Sequence, residues 1–163
     1  MAHRDRVLSY VTVAEEEGRD IVTGGRAPSD PALGAGYYLE PTVVSVPHAG
    51  RATSEEVFGP FVTVQRFKDD DEALALANEV EYGLGAGCWT NSLSRAHRFG
   101  GALRAGMVWV NTYKRVNPGS PFGGVGASGY GREMGFEAMH DYTEAHSVWI
   151  NVDAPQPRTY GAS

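Results

Sequence analysis

The sequence predicts an α/β fold: a partial parallel sheet with flanking helices, followed by one further strand near the C-terminus. Three observations predict it. First, Phe61-Val62-Thr63-Val64-Gln65-Arg66-Phe67 alternates apolar and polar residues, as a strand with one buried face does. Second, residues 70–80 repeat apolar Ala73, Leu76, Ala77 and Val80 at helical spacing. Third, a small-residue strand over 84–90, a helix ending near Gly106 and the buried strand over 107–111 continue the alternation. Such a β-α-β-α-β run implies parallel strands joined by right-handed crossovers.

From the N-terminus, residues 5–18 read as a helix with Val7, Val11 and Ala14 on one stripe. Its acidic tail, Glu15-Glu16-Glu17, is expected in solvent, and Gly18 is a good terminator. Asp20-Ile21-Val22-Thr23 is a short buried strand ending at Gly24-Gly25, and residues 26–36, rich in Pro, Gly, Ala and Asp, are a surface loop. Residues 37–46 form a strand pair or a strand broken at Pro41, and the proline marks an edge position. Asp70 is the expected N-cap of the helix over 70–80. Asn91 or Ser92 caps the next, which turns Leu93, Ala96, Gly100 and Leu103 inward. Residues 131–142 read as a helix and residues 147–151 as a last strand. No strand precedes the first helix, so the sheet is expected to be incomplete, with apolar faces that favour dimers or aggregation.

The 163 residues carry a formal net charge of −6 with acids and bases interspersed, which argues against a nucleic-acid surface. No apolar run approaches the roughly 18–20 residues of a membrane span, and the start, Met1-Ala2-His3-Arg4-Asp5-Arg6, is not a secretory signal. A cytoplasmic protein is expected. Cys88 is the one cysteine, so no internal disulfide forms. His3, His48, His97, His140 and His146 lack ligand-like spacing, and no metal site is expected.

The densest motif is the glycine-rich run over 121–133, in which Gly124, Gly126 and Gly129 spell G-x-G-x-x-G. A dinucleotide turn needs a buried strand directly before its first glycine and a helix at its last. A helix and strand follow, with Asp153 as a candidate ribose acid. The preceding residues, Val116-Asn117-Pro118-Gly119-Ser120-Pro121-Phe122, contain two prolines and no apolar run. The spelling therefore does not mark a dinucleotide cradle.

Two stretches resemble the aldehyde dehydrogenase superfamily. One is Glu55-Glu56-Val57-Phe58-Gly59-Pro60. The other is Trp109-Val110-Asn111 followed at the family's spacing by Pro121-Phe122-Gly123-Gly124, Ser128-Gly129 and Gly131-Arg132-Glu133. Tyr82-Gly83-Leu84 and Ala105-Gly106 sit between them as in the family, and the resemblance runs over residues 4–151. It covers the C-terminal third of a typical member: a partial catalytic domain over 1–130, an interface helix and oligomerisation strand over 131–151, and a tail over 152–163. It implies NAD(P)-dependent oxidation of an aldehyde to an acid through a thiohemiacetal on cysteine, hydride transfer and thioester hydrolysis. The family's nucleophilic cysteine, glutamate base, oxyanion asparagine and Rossmann domain all lie upstream of the part matched. Cys88, in the small-residue strand Gly85-Ala86-Gly87-Cys88-Trp89-Thr90, reads as a structural thiol.

By the same resemblance, Glu56 matches the glutamate that accepts hydrogen bonds from the nicotinamide ribose, and Phe58 the aromatic beside the nicotinamide ring. Phe122 matches a wall of the aldehyde tunnel, and Val116 a variable tunnel-mouth position, where valine leaves room for a bulkier substrate. Glu133 matches an acid that assists proton transfer to the catalytic glutamate; as a first-turn residue it would also favour the helix dipole. Arg132 and Glu144 match an ion-pair network at a subunit interface, and residues 145–151 an arm that joins a neighbour's sheet. Gly126 and His146 replace lysines frequent in the family. The expected reading is the C-terminal part of an aldehyde dehydrogenase, inactive alone and not binding NAD or NADP tightly by itself. It would act as a homo-oligomer or with a complementing N-terminal subunit. The alternatives are a non-catalytic assembly partner of full-length relatives and, weakest, an independent nucleotide-binding module.

Overall fold

The computed structural model describes residues 2–152. Helix α1 (Ala2–Glu16) buries Val7, Tyr10, Val11 and Ala14, the expected stripe with one aromatic added. It lies against a three-stranded sheet of order β1 (Asp20–Thr23), β2 (Thr42–Ser45), β3 (Phe61–Val64). β1 runs antiparallel to β2, with a register irregularity between Ile21 and Thr23, and β2 runs parallel to β3. The parallel return passes through the one-turn helix α2 (Arg51–Ser54). Two apolar clusters form beneath α1: Ala14 with Val44, Val46 and Ala52, and Val7 with Tyr10 and Val57.

Pro41 does not mark an edge. It stands one residue ahead of β2, the central strand, so its missing N–H costs the ladder nothing. The loop's Gly24 is backed directly by the Pro41 carbonyl at a φ of +75°, where a side chain has no room.

Helix α3 (Asp70–Asn78) is capped by Asp69, not Asp70: its carboxylate accepts from the Glu72 N–H at 2.9 Å. Asp70 and Asp71 are used elsewhere, pairing with Arg95 at 2.7 Å and with Arg98 on α4 (Leu93–Ala102). Ser92 caps α4. Phe99 is its buried residue, while Leu93 and Gly100 face solvent instead of the expected interior. The strand expected over 84–90 forms as the shorter β5 (Gly85–Cys88), and the two-residue β4 (Tyr82–Gly83) precedes it. β5 pairs parallel with β6 (Met107–Val110) across α4, and β4 pairs antiparallel with β7 (Val125–Gly126).

The single helix expected over 131–142 is not formed. Gly131, Met134 and Gly135 all take positive φ, which a right-handed helix cannot carry. Glu133 instead makes an isolated antiparallel bridge to Phe122, and helical turns occur only at Glu137–Tyr142, as 3-10 structure. Residues 143–151 have no ladder among the described residues, and Val148, Trp149 and Ile150 stand exposed. Among the described residues no helix is long and apolar enough to cross a membrane, and no three His, Cys, Asp or Glu side chains gather as metal ligands would.

Candidate functional site

The 55–60 loop is held from behind by α1. Arg6 donates to the carbonyls of Glu56 (3.0 Å) and Val57 (2.7 Å). Tyr10 donates its hydroxyl to Glu55 at 2.9 Å, and Arg51, one turn earlier, pairs with the same carboxylate at 2.8 Å. Val57 is buried against Val7 and Tyr10. Gly59 lies so close to Val7 that an added Cβ would sit 2.6 Å from a Val7 methyl. With Glu55 tied to Tyr10 and Arg51 and Val57 buried, Glu56 and Phe58 face out, Phe58 at 73% exposure and with a φ of +52°. That backbone conformation is costly for an aromatic residue and persists because the anchors on both sides impose it.

These contacts also set ionisation. The hydrogen bond from Arg51, then that from Tyr10, holds the Glu55 carboxyl below its ordinary value of 4.5. The same Glu55 contact, with burial, pushes the Tyr10 phenol above 10.0.

Sequence reasoning missed a second tier of support. Glu17, expected in solvent, accepts from the Arg51 N–H at 2.7 Å and pairs with the buried Arg19 at 3.3 Å. Arg19 also donates to the Ala49 carbonyl at 3.0 Å, so the end of α1 clamps the start of α2 and through it the 55–60 loop. Nothing in a run of three glutamates distinguishes the one that turns inward. Arg19 follows a helix-ending glycine, and that position was its only signal.

Across the molecule, Val116 and Phe122 line one apolar cavity of about 460 Å³ with Leu84, Gly85, Met107, Trp109, Tyr113 and Lys114. The loop after β6 is shaped to reach it. Asn111 and Lys114 both take left-handed φ, Trp109 donates its indole N–H to the Arg115 carbonyl at 2.8 Å, and Tyr113 stacks edge-on against Trp109 at 5.1 Å. Gly85 gives the Trp109 ring its place: a Cβ there would lie 2.8 Å from it. Glu56 borders a neighbouring cleft of about 320 Å³ with Tyr82, Gly83 and Ser128, and that cleft shares Leu84 and Gly85 with the Val116–Phe122 cavity. The structure thus brings Glu56, Val116 and Phe122 to the two sides of one short turn between β4 and β5.

The glycine stretch braces that turn. Ser128 accepts from the Gly83 N–H at 3.0 Å, Gly106 backs onto the Gly123 carbonyl, and Gly124 lies 2.6 Å (as an added Cβ) from the Ser128 carbonyl. Gly126 sits at a φ of +60° against the Glu81 carbonyl, a place with no room for any side chain. Arg132 turns back onto the carbonyls of Gly124 (2.8 Å) and Gly131 (2.7 Å) and makes no ion pair with Glu144 within the described chain. Glu133 is fixed to Phe122 by reciprocal backbone hydrogen bonds of 2.7 Å, so it occupies a bridge and not the first turn of a helix. Glu144 is exposed.

Cys88 does not join this group. It borders the gap between β5 and the α3–α4 pair, together with Phe99 and Arg95, while Gly85 on the same strand faces the Phe122 cavity. Asp153 lies outside the described residues.

On the α1-anchored loop, Glu56 presents an exposed carboxylate and Phe58 an exposed aromatic face. The apolar Val116–Phe122 cavity, adjoining the Glu56 cleft, has the size and character of a small-molecule subsite.

The aldehyde dehydrogenase family model matches residues 1–148. An aldehyde dehydrogenase from Rhodospirillum rubrum is 43% identical over 150 residues, 91% of this chain and 30% of that protein. A provisionally named aldehyde dehydrogenase from Burkholderia cenocepacia, known from its crystal structure, superposes with a TM-score of 0.91 at 68% identity, covering 98% of this chain and 33% of that one. PnpE from Pseudomonas sp. WBC-3 superposes with a TM-score of 0.90 at 62% identity and the same coverage, and PnpE has also been solved in complex with nicotinamide adenine dinucleotide. The chain therefore spans about a third of the length of the relatives it matches. From family model, sequence identity and backbone geometry together, the chain belongs to the aldehyde dehydrogenase family.

Proposed function

We propose that this chain forms one side of the active site of an NAD(P)-dependent aldehyde dehydrogenase, which oxidises an aldehyde to its carboxylic acid. The nucleophilic cysteine, the glutamate base and the dinucleotide-binding domain come from family residues outside these 163. The observation that supports this reading is the adjacency of the Glu56 cleft and the Val116–Phe122 cavity across Leu84 and Gly85.

In this reading Glu56 accepts hydrogen bonds from the two ribose hydroxyls, and Phe58 packs against the nicotinamide ring. When bound, the cofactor supplies the hydride acceptor. Val116 and Phe122 hold the apolar body of the aldehyde and keep water away from it, and Glu133, fixed beside Phe122, assists a proton transfer to the catalytic glutamate. These residues meet the nicotinamide end of the cofactor, so they serve NAD and NADP alike. Cys88 takes no part.

Assaying the purified chain for NAD(P) reduction with short aldehydes tests the division of labour. No turnover is expected alone, and turnover is expected on adding a polypeptide that carries the remaining two thirds of the family fold. Turnover by the chain alone would reverse the assignment of Cys88, and an inactive combination would remove the catalytic reading.

A second reading is supported by the exposed apolar Val148, Trp149 and Ile150, which have no ladder among the described residues. There the chain acts as an assembly partner, with residues 145–151 adding to a neighbour's sheet and Arg132 and Glu144 at the interface. Sedimentation of the chain with a full-length relative separates the two: co-migration without activity favours assembly.

A further inference from the structure

We propose that Lys114 and Arg115 form a cationic rim on the aldehyde cavity and select substrates that carry a carboxylate at the end remote from the aldehyde carbon. This rests on the reading above, in which Val116 and Phe122 wall the aldehyde site. The argument begins with charge. The chain has 20 acidic and 14 basic residues, yet the lining of the Val116–Phe122 cavity and of the pocket on its side away from the Glu56 cleft contains two cations and no acid. Lys114 borders the first and Arg115 the second, and the two share Met107, Trp109, Val116 and Phe122.

Both cations are available. Among the described residues neither is ion-paired, although Arg4, Arg19, Arg26, Arg51, Arg95 and Arg98 all are. The Lys114 ammonium lies over the Tyr113 ring, 5.9 Å from its centroid, and that ring is itself part of the cavity wall, so the charge stands at the cavity.

The loop is also held in place. Its left-handed φ values at Asn111 and Lys114 and the Trp109-to-Arg115 hydrogen bond fix the backbone that presents the two side chains. Orientation follows from the other end of the cavity, where Leu84 and Gly85 are shared with the Glu56 cleft. An aldehyde carbon directed toward the cofactor side leaves its distal end for the 112–116 loop. An apolar cavity with an unpaired cationic rim complements an apolar chain ending in a carboxylate.

Alcohols mimic the aldehydes without reacting with lysine, so the probes are ω-hydroxyhexanoate and hexanol, titrated calorimetrically into the full chain. The carboxylate is expected to bind roughly fivefold tighter, the scale of two rim ion pairs, with the advantage shrinking as salt is added. In a Lys114→Gln/Arg115→Gln variant of unchanged thermal midpoint, the ratio of affinities is expected to fall to about one on the same reasoning. Equal affinities in the wild type, a ratio the variant retains, or no binding of either probe would each overturn the proposal. The catalytic reading fails separately: a preserved binding ratio with no turnover of either matching aldehyde by the complemented enzyme would remove the chemistry and leave the rim assigned.

Discussion

The 55–60 loop and the glycine stretch over 121–133 hold the two sides of the site by opposite means. The loop is fixed by side chains that reach out from α1: Arg6 on its carbonyls, Tyr10 on Glu55, Val7 against Val57 and Gly59. In the glycine stretch backbone rests directly on backbone, Gly106 on Gly123, Gly124 on Ser128 and Gly126 on Glu81. Side-chain anchoring is divisible, since each contact can be removed while the others remain. Backbone apposition is not, because a single Cβ must displace a whole segment.

The largest effect is expected from Gly106→Ala. The new methyl would occupy the position of the Gly123 carbonyl, so either β6 or the glycine stretch must move. A destabilisation of about 3 kcal/mol is expected in denaturant titration, near the upper end for overpacking. Gly100→Ala is the control, because nothing lies within 4 Å of a Cβ there. Equal effects at the two positions would mean that the 121–133 backbone yields easily, and the contrast with the loop would disappear.

Val57→Ala examines the other region. Val57 is 8% exposed and packs in the cluster with Val7 and Tyr10, so its loss should cost about 2 kcal/mol. The loop should loosen more than the rest of the chain. Hydrogen exchange at the Glu55 amide, which donates to the Arg51 carbonyl, is expected to quicken well beyond that in β2, because Arg6 and Tyr10 still hold only one side. A uniform rise in exchange would show that the loop is not an independent unit.

The same contrast explains how much was legible in the sequence. The α1 stripe and the strands over 61–64 and 107–110 rest on periodicity, and local pattern carries them. The helix expected over 131–142 fails because Glu133 gains more from two hydrogen bonds to Phe122 than from starting a helix flanked by positive-φ glycines. That preference depends on a partner eleven positions away and has no local sign. Asp69, Asp70 and Asp71 are chemically equal as caps, and what separates them is the location of Arg95 and Arg98 on α4. Lys114 and Arg115 passed unremarked for a like reason: two basic residues in a polar loop carry no signal until β6 sets them beside Trp109 and Phe122.

The smallest expected effect concerns pH, and it arises only in the region held by side chains. Glu55 titrates below its ordinary 4.5 in the folded chain, so its contribution is fully present above that value and is lost as pH falls through the lowered one. Tyr10 titrates above its ordinary 10.0, so its contribution is present below that value and is lost as pH rises through the raised one. The loop's protection, taken relative to intrinsic exchange at each pH, should therefore be greatest between these limits and fall on both sides. Tyr10→Phe removes the alkaline limb entirely. It leaves an acid limb that is shifted toward the ordinary value but kept by Arg51, whose hydrogen bond is the larger cause. Loss of both limbs in that variant would assign the acid limb to Tyr10 as well. The glycine stretch, packed mainly backbone on backbone, supplies the reference: its protection should follow global stability alone.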